Sequence, residues 1–251
     1  MITKKSTSKI ALITGASSGI GEAIAHRLAE ENYRLVICAR RQEKLNKLTE
    51  RLQVKNSEVL ALNVDLRQEA DIITMFNTIR DKWGGVDVLI NNAGLGHKEP
   101  LMTGETEAWR EMLEVNVLAL CICTREAIKD MSDRFSGGHI IHISSMSGHR
   151  VPLYSGVYAA SKYAVRALTE GLRQELREAN KNIKISSISP GFVETEFAEK
   201  YNNNKEKAKE LYSRFPVLQP QDIANAVYYI LSQPDYVQIH DILLRPTQQK
   251  S

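Results

Sequence analysis

Short, unbroken apolar runs recur along this chain between longer stretches with helical periodicity, and that alternation restricts the fold more than any other feature. Ile10-Ala11-Leu12-Ile13 reads as a buried strand, Thr14 to Gly19 as a turn, and Ile20 to Glu31 as an amphipathic helix. Leu35 to Ala39 is a second strand, followed by a charged helix with Leu45, Leu48 and Leu52 on one face. Val59 to Val64 and Val86 to Ile90 are strands, with a helix over Asp71 to Trp83 between them. Helices are expected at Thr106 to Met131, Val157 to Asn180 and Asp222 to Leu231, and strands at His139 to Ile143, Ile183 to Ile188 and Val237 to Leu243. Strands alternating with helices at this spacing build βαβ units on a parallel sheet. Strands that are apolar at every position belong to a sheet covered on both faces. The expectation is an α/β chain: one doubly wound parallel sheet with helices on both faces, forming a single domain over residues 1–251. One polar stretch breaks the rhythm, Glu194 to Arg214, with Asn202-Asn203-Asn204 inside it. Its place after a strand's carboxyl end marks residues 195–215 as a candidate lid on the substrate side; the alternative is a solvated helical excursion.

Composition narrows the partners. The formal net charge of +3 over 251 residues is small and the basic residues are spread along the chain. Neither nucleic acid nor an anionic membrane is implied. No stretch approaches the roughly 18 apolar residues needed to span a bilayer. The first apolar run breaks at Thr14-Gly15, too early for a signal segment. Cys38, Cys121 and Cys123 make no disulfide framework. Cys121 and Cys123 fall on different faces of a helix, about 200° apart. A soluble protein of a reducing cytoplasm fits this usage. No His/Cys/Asp/Glu set has zinc spacing, so no metal site is expected.

Thr14-Gly15-Ala16-Ser17-Ser18-Gly19-Ile20-Gly21 joins the first strand to the first helix. Backbone amides at a helix N-terminus attract a diphosphate, and glycines let it approach with no Cβ in the way. Such a turn alone also has a purely structural reading, but this one opens a βαβ unit, the context a dinucleotide site requires. Three further motifs follow in order: Asn91-Asn92-Ala93-Gly94, Tyr158-Ala159-Ala160-Ser161-Lys162, and Pro190-Gly191-Phe192-Val193-Glu194-Thr195. Together, over essentially the whole chain, they resemble the short-chain dehydrogenase/reductase family. The resemblance implies a Rossmann fold and an oxidoreductase acting on CH–OH groups. It places Gly15, Ser17, Ser18, Gly19, Ile20 and Gly21 around the cofactor diphosphate. It sets Asp65 and Leu66 at the adenine, and Asn92, Ala93 and Gly94 along the adenosine ribose and diphosphate. Pro190, Gly191, Val193 and Thr195 lie on the nicotinamide side.

The choice of cofactor is read from the second strand. An acidic residue about 20 positions past the glycines would bind the ribose 2′-hydroxyl of NAD. Here Ala39 is followed by Arg40 and Arg41. A guanidinium binds a 2′-phosphate with charge-assisted bonds, where a carboxylate would repel it. NADP(H) is the expected cofactor, with Arg40 and Arg41 as its phosphate ligands; the alternative is a solvated helix start.

Tyr158 and Lys162 are four apart in a helical pattern and project from one face. A free phenol titrates near 10. A neighbouring ammonium is expected to lower that value and so let Tyr158 act as general acid or base beside a hydride transfer. The resemblance also sets Tyr158 and Lys162 among the cofactor-binding residues, with Lys162 at the nicotinamide ribose. Ser145, thirteen residues before Tyr158, matches the family's catalytic serine, whose hydroxyl stabilises the substrate oxygen; Ser144 and Ser147 compete for the role. Asn116 matches the family's helix asparagine, which holds a water linking the lysine to solvent. Asn116, Ser145, Tyr158 and Lys162 are therefore the catalytic candidates. His139 and His142 read as satisfied core or edge groups, while His97, His149 and Arg150 fall near the expected cleft.

The tail from Val237 to Thr247 is similar to that of NADP-dependent 3-hydroxy acid and serine dehydrogenases, broad carbonyl and steroid reductases, and insect farnesol dehydrogenases. The leading substrate expectation is a small 3-hydroxy acid, with Arg150 as a candidate carboxylate partner; a surface salt bridge is the alternative for Arg150. The alternatives are a lipid-like steroid or isoprenoid substrate and a regulatory protein that binds NADP without turnover. The family implies a homodimer or homotetramer through two long helices.

Overall fold

The computed structural model describes residues 8–54, 57–132 and 137–250. Strands β1 (Ile10–Thr14), β2 (Arg34–Ala39), β3 (Val59–Asn63), β4 (Val88–Asn91), β5 (Gly138–Ile143), β6 (Ile183–Pro190) and β7 (Asp241–Leu244) form one sheet in the order β3-β2-β1-β4-β5-β6-β7. Every pairing is parallel. Each strand alternates its side chains between the two faces. Ile13, Ile37 and Ile141 therefore pack with Ile24 and Leu28 of α1 (Gly19–Glu30), Leu45, Leu48 and Leu52 of α2 (Gln42–Gln53), and Ile223 and Val227 of α9 (Pro220–Leu231). Leu12, Val36 and Ile140 face the other way, onto Ile72, Phe76 and Ile79 of α3 (Glu69–Trp83), Ile122 and Ala127 of α5 (Ala119–Ser132), and Leu176 of α6 (Gly156–Glu178). Two cores on one sheet explain why these strands carry no polar alternation.

The strand order reverses between β1 and β4, and ligands of open parallel sheets bind outside the carboxyl ends at such a point. The loops that end β1 and β4 are tied together there. Thr14 Oγ1 accepts from the backbone amides of Asn92 (3.1 Å) and Ala93 (3.0 Å). Asn92 Nδ2 donates to the carbonyls of Thr14 (2.8 Å) and Gly15 (3.2 Å). Behind them, Asn91 Nδ2 donates to Thr124 Oγ1 of α5 at 2.9 Å.

Three elements differ from the sequence expectation. The helix predicted over Thr106 to Met131 is divided: α4 (Thr106–Leu113), a π turn over Glu114–Leu118, then α5. A π turn breaks the i→i−4 hydrogen-bond ladder of the α-helix, and Asn116, almost fully buried, lies inside it. The last strand begins at Asp241, four residues later than predicted, because β7 pairs only with Ser187 to Pro190 of β6. The polar stretch after β6 forms two short helices, α7 (Phe197–Asn202) and α8 (Lys205–Ser213). Asn203 turns the chain between them with φ +47°, and Asn204 caps α8 by accepting from Lys207 N at 2.9 Å.

Candidate active site

The glycine turn leaves no room for side chains. At Gly15 (φ +66°) a Cβ would lie 2.8 Å from Ala93 Cα; at Gly21 it would meet Asn92 Nδ2 and the Gly15 carbonyl at 2.6 Å. Gly19 (φ +59°) faces the Thr195 methyl. The result is a groove of about 280 Å³ lined by the turn, Arg40, Arg41, Asp65, Leu66 and Asn92 to Gly96. Arg41 Nη2 donates to the hydroxyls of Ser17 (3.0 Å) and Ser18 (2.7 Å), and Arg41 Nη1 pairs with Glu196 at 2.7 Å. Arg40 is more exposed and lies 3.6 Å from Glu111. Asp65 is hydrogen-bonded by Arg67 (Nη2 to Oδ2, 2.5 Å), which holds its carboxyl below the usual range. A cradle of left-handed glycines, hydroxyls and guanidiniums fits a dinucleotide.

The groove opens into a second cleft of about 850 Å³. Ile20, Asn92, Gly94, Thr195 and Phe197 line both. Ser145, Tyr158 and Lys162 stand on its wall. The Ser145 hydroxyl hydrogen-bonds the Tyr158 phenol and accepts from Ser147 N at 3.0 Å. Ser144 instead turns inward and donates to the Lys162 carbonyl at 3.3 Å. Lys162 Nζ donates to the Ile143 carbonyl at 3.0 Å. Asn116 Nδ2 donates to the Leu95 carbonyl (2.8 Å) and Ser161 Oγ (3.0 Å), while Leu95 N donates to Asn116 Oδ1 (2.9 Å). A Cβ on Gly94 would lie 3.4 Å from both Asn116 Oδ1 and Lys162 Nζ. The two groups thus flank one small gap.

The electrostatics correct one expectation. Burial pushes the Tyr158 phenol up to about 12, against the lowering effect of Ser145. Burial also pushes the Lys162 ammonium down to about 8. In this form desolvation, not the neighbouring amine, dominates the phenol.

Beyond Tyr158 the cleft is lined by Met146, Val151, Leu153, Phe192 and Leu211. Phe197 and Tyr201 of α7 pack on the Tyr158 ring at centroid distances of 5.6 and 5.7 Å, and the Ser155 and Tyr201 hydroxyls hydrogen-bond. Arg150 reaches this cleft and donates to the Lys250 carbonyl at 3.2 Å. His97 and His149 do not line it. His97 pairs with Glu111 at 2.9 Å, and His149 lies 3.0 Å from Ser189 Oγ and 3.3 Å from Asp241.

Sequence reasoning did not find Glu196, Phe197, Tyr201 or Gln249. Gln249, 5% exposed, closes the cleft from the chain's far end. Its Oε1 accepts from Phe192 N at 2.9 Å, in a space left open by Gly191, where a Cβ would come within 2.3 Å. Nothing local marks it.

A family model for short chain dehydrogenases matches residues 9–206. The chain belongs to that family. It is 50% identical over 251 residues to chicken (Gallus gallus) dehydrogenase/reductase SDR family member 11, covering 98% of each chain. It is 39% identical over 246 residues to farnesol dehydrogenase of Aedes aegypti, covering 96% of this chain and 97% of that one. Among solved structures, a serine dehydrogenase complexed with NADP+ in a closed form superposes with TM-score 0.89 at 31% identity, covering 96% of each chain. Both NADP+ and NAD occur as ligands of such neighbours. A short chain dehydrogenase of this kind is an oxidoreductase. Among its described residues no helix is long and apolar enough to cross a membrane.

Proposed function

We propose that this short chain dehydrogenase interconverts an alcohol and a carbonyl with NADP(H), on a substrate whose body is bulky and apolar, such as an isoprenoid or a steroid. The observation that carries the reading is the apolar cleft beyond Tyr158. Its walls include Val151, Leu153, Phe192 and Leu211, and burying such walls against an apolar ligand is favourable at about 25 cal/mol per Å². The farnesol dehydrogenase relative supports it. Preference for NADP(H) is supported by Arg41, Ser17 and Ser18, which present charge-assisted and neutral donors together.

When bound, the nicotinamide supplies or accepts the hydride. The chain supplies the rest. In reduction, Tyr158 Oη gives its proton to the substrate oxygen while Ser145 Oγ donates a hydrogen bond to the same oxygen. Lys162 offsets the charge left on the phenolate. Asn116 acts through others: it fixes Leu95 and, by way of Ser161, the helix that carries Tyr158 and Lys162. Residues 195–215 act as a lid whose inner face is Phe197, Tyr201 and Leu211.

Arg150 favours a second reading, a small 3-hydroxy acid held through its carboxylate, for which the serine dehydrogenase neighbour is the analogy. Absorbance at the reduced-nicotinamide band separates the two. With a panel of isoprenoid alcohols, steroids and small hydroxy acids, kcat/KM should be at least about tenfold higher for the apolar members, a difference of about 1.4 kcal/mol. A reversed order would transfer the assignment to the small acid.

A further inference from the structure

Glu196 sits among cations beside the glycine turn. It directly precedes α7, and its carboxylate meets Arg41 Nη1 at 2.7 Å, Lys44 Nζ, and Lys200 Nζ at 3.5 Å. Ser18 Oγ donates to it at 3.4 Å. The remaining nitrogens of Arg41 hold the hydroxyls of Ser17 and Ser18. A guanidinium, two ammoniums and a hydroxyl thus converge on one carboxylate beside the glycine turn, and all but Lys44 line the groove. Burial raises the Glu196 carboxyl, but Lys44 and Arg41 outweigh it and hold the group at about 2. It is charged at any working pH.

We propose that Glu196 is an internal competitor for the 2′-phosphate of the cofactor: its carboxylate fills the anion site of the ligand-free protein and must leave Arg41 and Lys44 when the phosphate arrives. The inference rests on the NADP(H) reading above. A monoester phosphate carries about −1.5 to −2 at neutral pH and offers three strong acceptors, so it takes the cations that one carboxylate holds. It also repels that carboxylate. A ribose 2′-hydroxyl has no charge with which to compete. Because a site held closed by an internal group lowers apparent affinity, Glu196 weakens binding of the phosphorylated cofactor selectively. The consequence reaches the chemistry. Glu196 is joined to Phe197, and Phe197 and Tyr201 lie on the ring of Tyr158. Displacing Glu196 releases the ion pairs that anchor the start of α7, so arrival of the phosphate is transmitted to the helix covering the phenol.

Calorimetric titration of wild type and Glu196→Gln with NADPH and NADH tests this. Adenosine 2′,5′-bisphosphate and AMP serve as fragments without nicotinamide. The substitution should tighten NADPH and the bisphosphate about fivefold or more, and change NADH and AMP by less than about twofold. An unchanged or weaker NADPH affinity in E196Q, in a protein whose wild type prefers NADPH to NADH, overturns the inference alone. A wild type without that preference, and no gain in E196Q, removes the cofactor reading as well. Hydrogen exchange over residues 196–203 of the ligand-free protein should be faster in E196Q; equal exchange would sever the proposed link to α7.

Discussion

At the carboxyl end of β1, Thr14 takes two backbone amides, Asn92 takes two backbone carbonyls, and glycines admit nothing larger. On the far side of Tyr158 the cleft wall includes Leu153, which is 77% exposed. Tyr154 there holds φ at +62°, a region that a side chain other than glycine occupies at a cost of about 1–3 kcal/mol. The first region is fixed by backbone hydrogen bonds that leave one shape available. The second is made of side chains on loops and short helices, and few of its contacts are directional. The cofactor end should therefore respond to substitution through stability, and the substrate end through KM.

Tyr158 lies where the two regions meet, and its replacement sharpens the contrast most. Tyr158→Phe should lower kcat by about 10³-fold, within the range general acid–base catalysis supplies. NADPH affinity and melting temperature should be almost unaffected. Wild-type turnover in this variant would refute the assigned chemistry.

Acid should act on the sheet, not on the cleft. Burial holds His139 and His142 of β5 down at about 3, with Lys184 and Lys162 adding to the effect. An unfolded histidine titrates near 6.5, so below that pH the unfolded chain binds more protons. The contribution is present above pH 6.5 and is lost as pH falls toward 3, at about 1.4 kcal/mol per pH unit for each histidine. Urea midpoints between pH 6 and 4 should show the slope, and His142→Gln should remove about half of it. A flat profile would mean that these rings are accessible.

Gly15→Ala tests the rigidity of the cofactor end. The left-handed backbone and the 2.8 Å approach to Ala93 should together cost about 3 kcal/mol, a fall in Tm of about 6–12 °C for a chain of this length. A smaller loss would show that the turn can relax. Gln249→Ala is the corresponding test at the substrate end. Removing the acceptor for Phe192 N should raise KM for an apolar substrate about three- to tenfold, equivalent to about 1 kcal/mol. NADPH affinity should stay the same, and Gln249→Glu, which keeps an acceptor, should restore much of the loss. If NADPH affinity fell as far as KM rose, the two ends would not be separable.

The sequence by itself determined the alternation of strands and helices, the buried faces of the helices and the glycine turn after β1. Apolar periodicity and glycine placement are local, and a parallel βαβ chain has one way to cover both faces of its sheet. The tertiary structure decided the rest. Ser144 and Ser145 are neighbours in sequence, yet one turns to the Lys162 carbonyl and the other to the phenol. His149 meets Ser189 and Asp241 and does not line the cleft. The π turn that holds Asn116 leaves no mark in a helical pattern. Glu196 meets Arg41 across 155 residues, and Gln249 meets Phe192 across 57. Side-chain direction and desolvation depend on neighbours brought together by folding, which is also why the phenol expected to be acidified by Lys162 is instead raised by its own burial.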